Sequence, residues 1–264
     1  MPTPNHHSPS RTRAECNERV GRNLQDSGGS DSYHHAMNEN ETPPAADAGT
    51  ELPIFPTHAP DVFRKPAETA ELFAQVFEQL AVVVDVDDST LASPTPCTGF
   101  TVARLQTHTL GWLQFFAAAL TDPAAVDQRP DPEAFVLDTA TPGSEIVRSS
   151  ASRIDSAIHD DVFAALVTMS SSKMTGDGVL AMALGEYMIH GWDLAVATGQ
   201  RYSAPAVAVG PAHDFLKGTV TPEYRGPDSG FFDAEVTVPA DASEFEKFLG
   251  FAGRDPNWTM HPSS

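Results

Sequence analysis

Cationic residues are scarce in this chain of 264 residues: 16 Lys and Arg stand against 36 Asp and Glu, a formal net charge of −20. A phosphate backbone or an anionic bilayer would repel such a chain, which argues against nucleic acid and acidic membranes as partners. Cysteine is scarcer still. Cys16 and Cys97 are too few and too far apart for a disulfide framework or a CxxC zinc knuckle. No run of about 18 apolar residues occurs, and the N-terminal MPTPNHHSPSRTR lacks the apolar stretch of a secretory signal. The expectation is a soluble, cytoplasmic protein.

What is present suffices for a packed core: 41% of residues are apolar, and the length corresponds to one or two domains. The first 60 residues do not share in it. Pro, Ser, Asn, Asp, Glu and His dominate there, and apolar residues come singly, so burial cannot offset the entropy of ordering the segment. Residues 1–60 are expected to be a disordered acidic, Pro-rich tail, whose His6-His7 and His34-His35 pairs reflect composition.

From residue 61 the apolar spacing is helical. Pro66 stands where a first turn tolerates it, ahead of Leu72, Phe73, Val76, Phe77, Leu80, Val83 and Val84. Thr101 suits the N-cap of a second helix through Leu105, Trp112, Phe116 and Leu120, and Ser144 that of a third through Ile154 and Ile158. Thr175-Gly176-Asp177 opens a fourth, which Gly199 closes. Residues 85–99 and 123–141 are broken by prolines and read as loops, while residues 162–169 fit a strand or a helical turn equally. Farther on come a helix from Pro205 through Leu216, an alternating segment from Ala234 to Val238 that reads as a brief strand, and a last helix behind an Asp241/Glu244 capping box. The expected architecture is mainly α: a four-helix bundle over residues 61–200, with a small C-terminal α/β extension, residues 201–264, packed on it.

Two of these helices carry polar groups on their apolar faces. His108 stands three after Leu105 and four before Trp112, and Glu186 and His190 share a face with Ala183, Leu194 and Ala197. Bundles build metal sites from inward-facing Glu and His on neighbouring helices, and imidazole with carboxylate suits zinc, iron, nickel or manganese. Three such ligands leave positions open for water or substrate. The same spacing also fits a hydrogen-bonded core histidine and an intrahelical Glu–His pair. Against that, a buried carboxylate without a cation is costly, and one divalent ion would satisfy all three groups.

Several segments together resemble a known family. These are Pro94-Thr95-Pro96-Cys97, the helix from Thr101-Val102 with His108, Gly185-Glu186 leading to His190-Gly191-Trp192-Asp193-Leu194-Ala195, and Gly253-Arg254-Asp255-Pro256. They look like the actinobacterial metal-binding proteins related to mycothiol-dependent maleylpyruvate isomerase, within the DinB-like four-helix superfamily, and the likeness spans about residues 61–258. It implies a DinB-like bundle in which His108, Glu186 and His190 bind a divalent metal, most often Zn2+. It implies further that the metal activates mycothiol or a similar low-molecular-weight thiol. In the isomerase, the thiol adds to a conjugated double bond, rotation follows, and elimination regenerates the thiol; a transferase stops after addition or displacement.

The expected partners are therefore a thiol and a small electrophile, with homodimerisation open. The first function is a metal-dependent thiol S-transferase or isomerase. The others are a non-catalytic metal-binding stress or interaction protein and a metal hydrolase. Asp193, three after His190, is a candidate to orient the site from behind, and Arg254 to anchor a substrate carboxylate or to serve the last helix's C-terminus. Cys97, in its Pro-rich turn, reads as a packed small residue, not a nucleophile; Trp112, Trp192 and Tyr187 read as core or pocket wall. His159 and His213 have no partner at ligand spacing.

Overall fold

The computed structural model describes Ile54 and residues 59–138, 140–169, 172–226 and 232–260, all within one compact unit, Ser32–Ser264. Nearly all of the expected N-terminal tail lies outside the described residues. Among the described residues six α-helices follow one another: α1 (Pro66–Val83), α2 (Val102–Thr121), α3 (Gly143–His159), α4 (Gly176–Ala197), α5 (Ala206–Thr219) and α6 (Glu244–Phe251). Each of α1 and α2 packs against both α3 and α4, so the bundle reads α1, α3, α2, α4 around its axis; α5 then packs on α4, and α6 on α5. No helix among the described residues is long and apolar enough to cross a membrane.

The ends follow local chemistry. Pro66 opens α1 at a position where its missing N–H is no loss. The Thr101 side chain accepts from Arg104 N at the start of α2. Residues 162–169 resolve into both alternatives: a 3-10 turn, Val162–Ala164, and then strand β1 (Leu166–Thr168). This pairs antiparallel with β2 (Lys173–Thr175) in the register Leu166↔Thr175, Val167↔Met174, Thr168↔Lys173. Ile54 forms a parallel bridge with Lys173 and Ala59 is buried, so contacts with the fold start a few residues before position 61.

Three local expectations are corrected. Ser144 does not cap α3; Pro142 holds the N-cap position, and the Ser144 amide donates to Asp85 Oδ1 at 3.1 Å from the end of the α1 connection. A side chain distant in sequence thus does the work of the local cap. Asp85→Ala is expected to cost about 0.5–1 kcal/mol, read as a small drop in the urea midpoint at constant slope. The capping box ahead of α6 is Ser243 with Glu246, not Asp241 with Glu244. Ala234–Val238 forms no strand, because among the described residues no segment completes a ladder with it; it runs along α6, with Val236 N donating to Gly250 O at 2.9 Å.

Helix α4 is the centre of the molecule. Twenty of its 22 residues are buried, as suits a helix enclosed by α1, α2 and α5. It nevertheless carries three carboxylates, and each has a cationic or imidazole partner: Asp177 accepts from Arg64 Nε at 2.9 Å, Glu186 faces His190, and Asp193 faces Arg254. Burying charge without such partners would be prohibitive.

Candidate metal and thiol site

The site is built on the second half of α4, where a four-residue step puts Glu186 and His190 one above the other. His190 is buried, and carboxylates address both of its nitrogens: Nε2 lies 3.2 Å from Glu186 Oε2, and Nδ1 lies 3.1 Å from Asp193 Oδ2. From α2, His108 meets His190 edge-on, with ring centroids 5.4 Å apart and planes at 89°. Phe100 packs on the other side of His108, also edge to face at 5.3 Å. The structure thus pairs Glu186 with His190 and lays the His108 ring against that of His190.

The electrostatics sort these groups by role. Burial opposes charge on His190, but hydrogen bonds to Asp193 and Glu186 outweigh it and hold the imidazolium up to about pH 9. Burial likewise works against the Glu186 carboxylate, yet His190 more than offsets it, and the carboxyl sits below its ordinary range. His108 goes the other way: burial, aided by the like charge of His190, pushes it down to about 3. The metal-free site is therefore an ion pair beside a neutral imidazole.

Asp193 is wholly buried and supports the arrangement from behind. Its Oδ1 and Oδ2 accept from Arg254 Nε at 3.1 and 3.2 Å, and Oδ2 also accepts from Arg254 Nη2 at 3.2 Å. Arg254 is itself 4% exposed and gives Nη1 to Ala252 O at 3.3 Å. The guanidinium is thus occupied by Asp193 and by the carbonyl of Ala252, the residue that caps the C-terminus of α6. Gly253, at φ +79°, makes this possible, because the chain must turn sharply against Asp233 O to send Arg254 inward.

Among the described residues, the group whose ligand atoms all lie within 4.8 Å of one another is Cys97, His190 and Asp193. Its chemistry suits an ion less well than the opposite edge of His190. Both Asp193 oxygens are taken by Arg254, and burial pushes the Cys97 thiol up to about 12, so it is protonated at neutral pH. On the Nε2 edge stands the Glu186 carboxylate, and the neutral His108 imidazole lies against the same ring; both are ordinary types of zinc ligand.

Other residues singled out from the sequence lie elsewhere. Tyr187 packs between Phe77 and Phe116 in the core. His159 ends α3 beside Asp155, and His213 sits against Phe248 and Phe251. One functional neighbour escaped sequence reasoning: Glu133, from the connection between α2 and α3, accepts from Trp112 Nε1 at 3.2 Å and comes within 4.0 Å of His108 Nδ1. A loop residue has no periodicity to reveal which way it faces.

Comparison with known proteins bears on this region. Residues 73–195 match the family model described as the mycothiol maleylpyruvate isomerase N-terminal domain. Two uncharacterised proteins of Mycobacterium tuberculosis, from strains CDC 1551 / Oshkosh and ATCC 25618 / H37Rv, are each 26% identical over 181 residues, 66% of this chain and 90% of theirs. Among solved structures, mycothiol-dependent maleylpyruvate isomerase and a histidine-to-alanine mutant of it align at a TM-score of 0.38 and 15% identity, over 55% of this chain and 67% of theirs.

Proposed function

We propose, on the match of residues 73–195 to the mycothiol maleylpyruvate isomerase N-terminal domain, that the protein is a metal-dependent thiol enzyme. It is a mycothiol-type isomerase or S-transferase of the cytoplasm, acting on a small electrophile, with Zn2+ held by His108, Glu186 and His190. The observation that carries this reading is the buried His190–Glu186 pair with a neutral His108 against it. Ligand atoms about 2.0–2.1 Å from a tetrahedral ion stand about 3.3 Å apart, and His190 Nε2 and Glu186 Oε2 are separated by 3.2 Å. The proton now between them occupies the place of a cation.

When bound, Zn2+ supplies the positive charge that lowers the pKa of a thiol beside it. The chain's own residues do the rest. Glu186 neutralises part of that charge, and His108 offers a lone pair without first losing a proton. Asp193 accepts from His190 Nδ1 and so directs Nε2 into the site, while Arg254 fixes Asp193. Burial keeps the Cys97 thiol protonated when no ion is bound, and the reacting sulfur is assigned to the cosubstrate.

Protein purified without an affinity tag is expected to hold about one Zn2+ per chain by elemental mass spectrometry. It should then show turnover of maleylpyruvate or another small electrophile that depends on mycothiol, is lost to a chelator and returns with Zn2+. Zinc-loaded protein that turns over nothing with thiol present would overturn the enzyme reading in favour of a binding protein, and turnover without thiol would favour a hydrolase. Protein that refuses zinc would remove the metal itself.

A further inference from the structure

The connection between α2 and α3 doubles back over α2, and a close approach seats it there. At Gly111 an added Cβ would stand 2.4 Å from Pro132 O and 2.9 Å from Phe135 Cβ, so only glycine lets the turn lie against the helix. The turn is locally built: Asp131 Oδ1 accepts from Glu133 N at 2.9 Å, Phe135 N donates to Pro132 O at 3.4 Å, and Phe135 packs against the core. Seated in this way, it delivers Glu133 to the face of α2 that carries His108 and Trp112. There the carboxylate accepts from the Trp112 indole and faces the Nδ1 edge of His108.

Both histidines of the site have a carboxylate on the Nδ1 side, one hydrogen-bonded to His190 at 3.1 Å and the other 4.0 Å from His108, a charge contact and not a hydrogen bond. Asp193 stands at Nδ1 of His190 and Glu133 at Nδ1 of His108. A carboxylate at Nδ1 favours the tautomer protonated there, which leaves the Nε2 lone pair for an ion and raises its basicity. We infer that Glu133 is the positioning residue of His108, held over it by the turn that docks at Gly111, and that it orients this ligand without being one. The inference rests on the zinc reading above.

The test is Zn2+ affinity of the full-length protein, measured by competition with a chromophoric chelator, together with the visible spectrum of the Co2+ form. Glu133→Gln keeps an oxygen for Trp112 and drops the charge. It is expected to bind Zn2+ about 10-fold more weakly, the lower end of the usual effect because the side chain is 44% exposed. Its Co2+ bands should shift while its unfolding midpoint stays in place. In a His108→Ala background the same change should have no further effect. Equal loss in both backgrounds would mean a general charge effect and overturn the inference. Wild-type affinity in Glu133→Gln, with one Zn2+ per wild-type chain, would overturn this inference alone, whereas a wild-type chain that binds no Zn2+ would take the metal reading down with it.

Discussion

Asp193→Ala is expected to destabilise the protein by about 3–5 kcal/mol, the usual cost of stranding a buried charge. The carboxylate has no exposure, and its removal leaves Arg254, 4% exposed, with only the Ala252 carbonyl as an acceptor. The pair also joins residues 61 positions apart, so it fastens the chain beyond α6 to the centre of α4. For a folded region of this size, each kcal/mol moves the melting temperature by about 2–4 °C, which predicts a fall of about 10 °C by calorimetry. The cause is distinguishable from simple loss of packing. In Asp193→Leu/Arg254→Met no charge is stranded, so the double variant should lose less than either single variant. An Asp193→Ala midpoint within 2 °C of wild type would show that water reaches Arg254 and that the pair is not closed.

How much of this was legible in the sequence depended on whether the signal was periodic. The four bundle helices were, because Leu72, Phe77 and Leu80 or Leu105, Phe116 and Leu120 recur at helical steps. Glu186 and His190 were placed together by their spacing, and the geometry between them agrees with it. Contacts between distant segments were not legible. Nothing near Ser144 announces that Asp85 will bind its amide, and nothing near Arg254 announces Asp193, since tertiary packing and not local pattern decides both. The alternation of Ala234–Val238 misled for a related reason: a strand pattern needs a partner, and here α6 occupies the place where one would lie. Glu133 was invisible because its orientation comes from the niche at Gly111, a contact only the folded chain creates.

Adding Zn2+ to metal-free protein should raise its melting temperature, and the size of the rise separates a metal site from a structural ion pair. A ligand at a thousandfold excess over its Kd stabilises by about 4 kcal/mol if the unfolded chain does not bind it, which corresponds to about 10 °C here. A chelator should reverse the rise. His190→Ala should abolish it, since this residue stands between Glu186 and Asp193 and lies edge-on to His108. Glu186→Gln should keep a reduced shift: the amide oxygen can still reach the ion, but it no longer cancels charge in a buried place. His108→Ala should shrink the shift without abolishing it, and should cost the metal-free protein less than His190→Ala does, because a neutral imidazole leaves no stranded partner whereas His190 leaves two carboxylates. That contrast is what the ion-pair interpretation cannot reproduce. If Glu186 and His190 only held α4 together, Zn2+ would leave the wild-type midpoint where it was, and His108 would matter no more than any other half-buried side chain packed against Phe100.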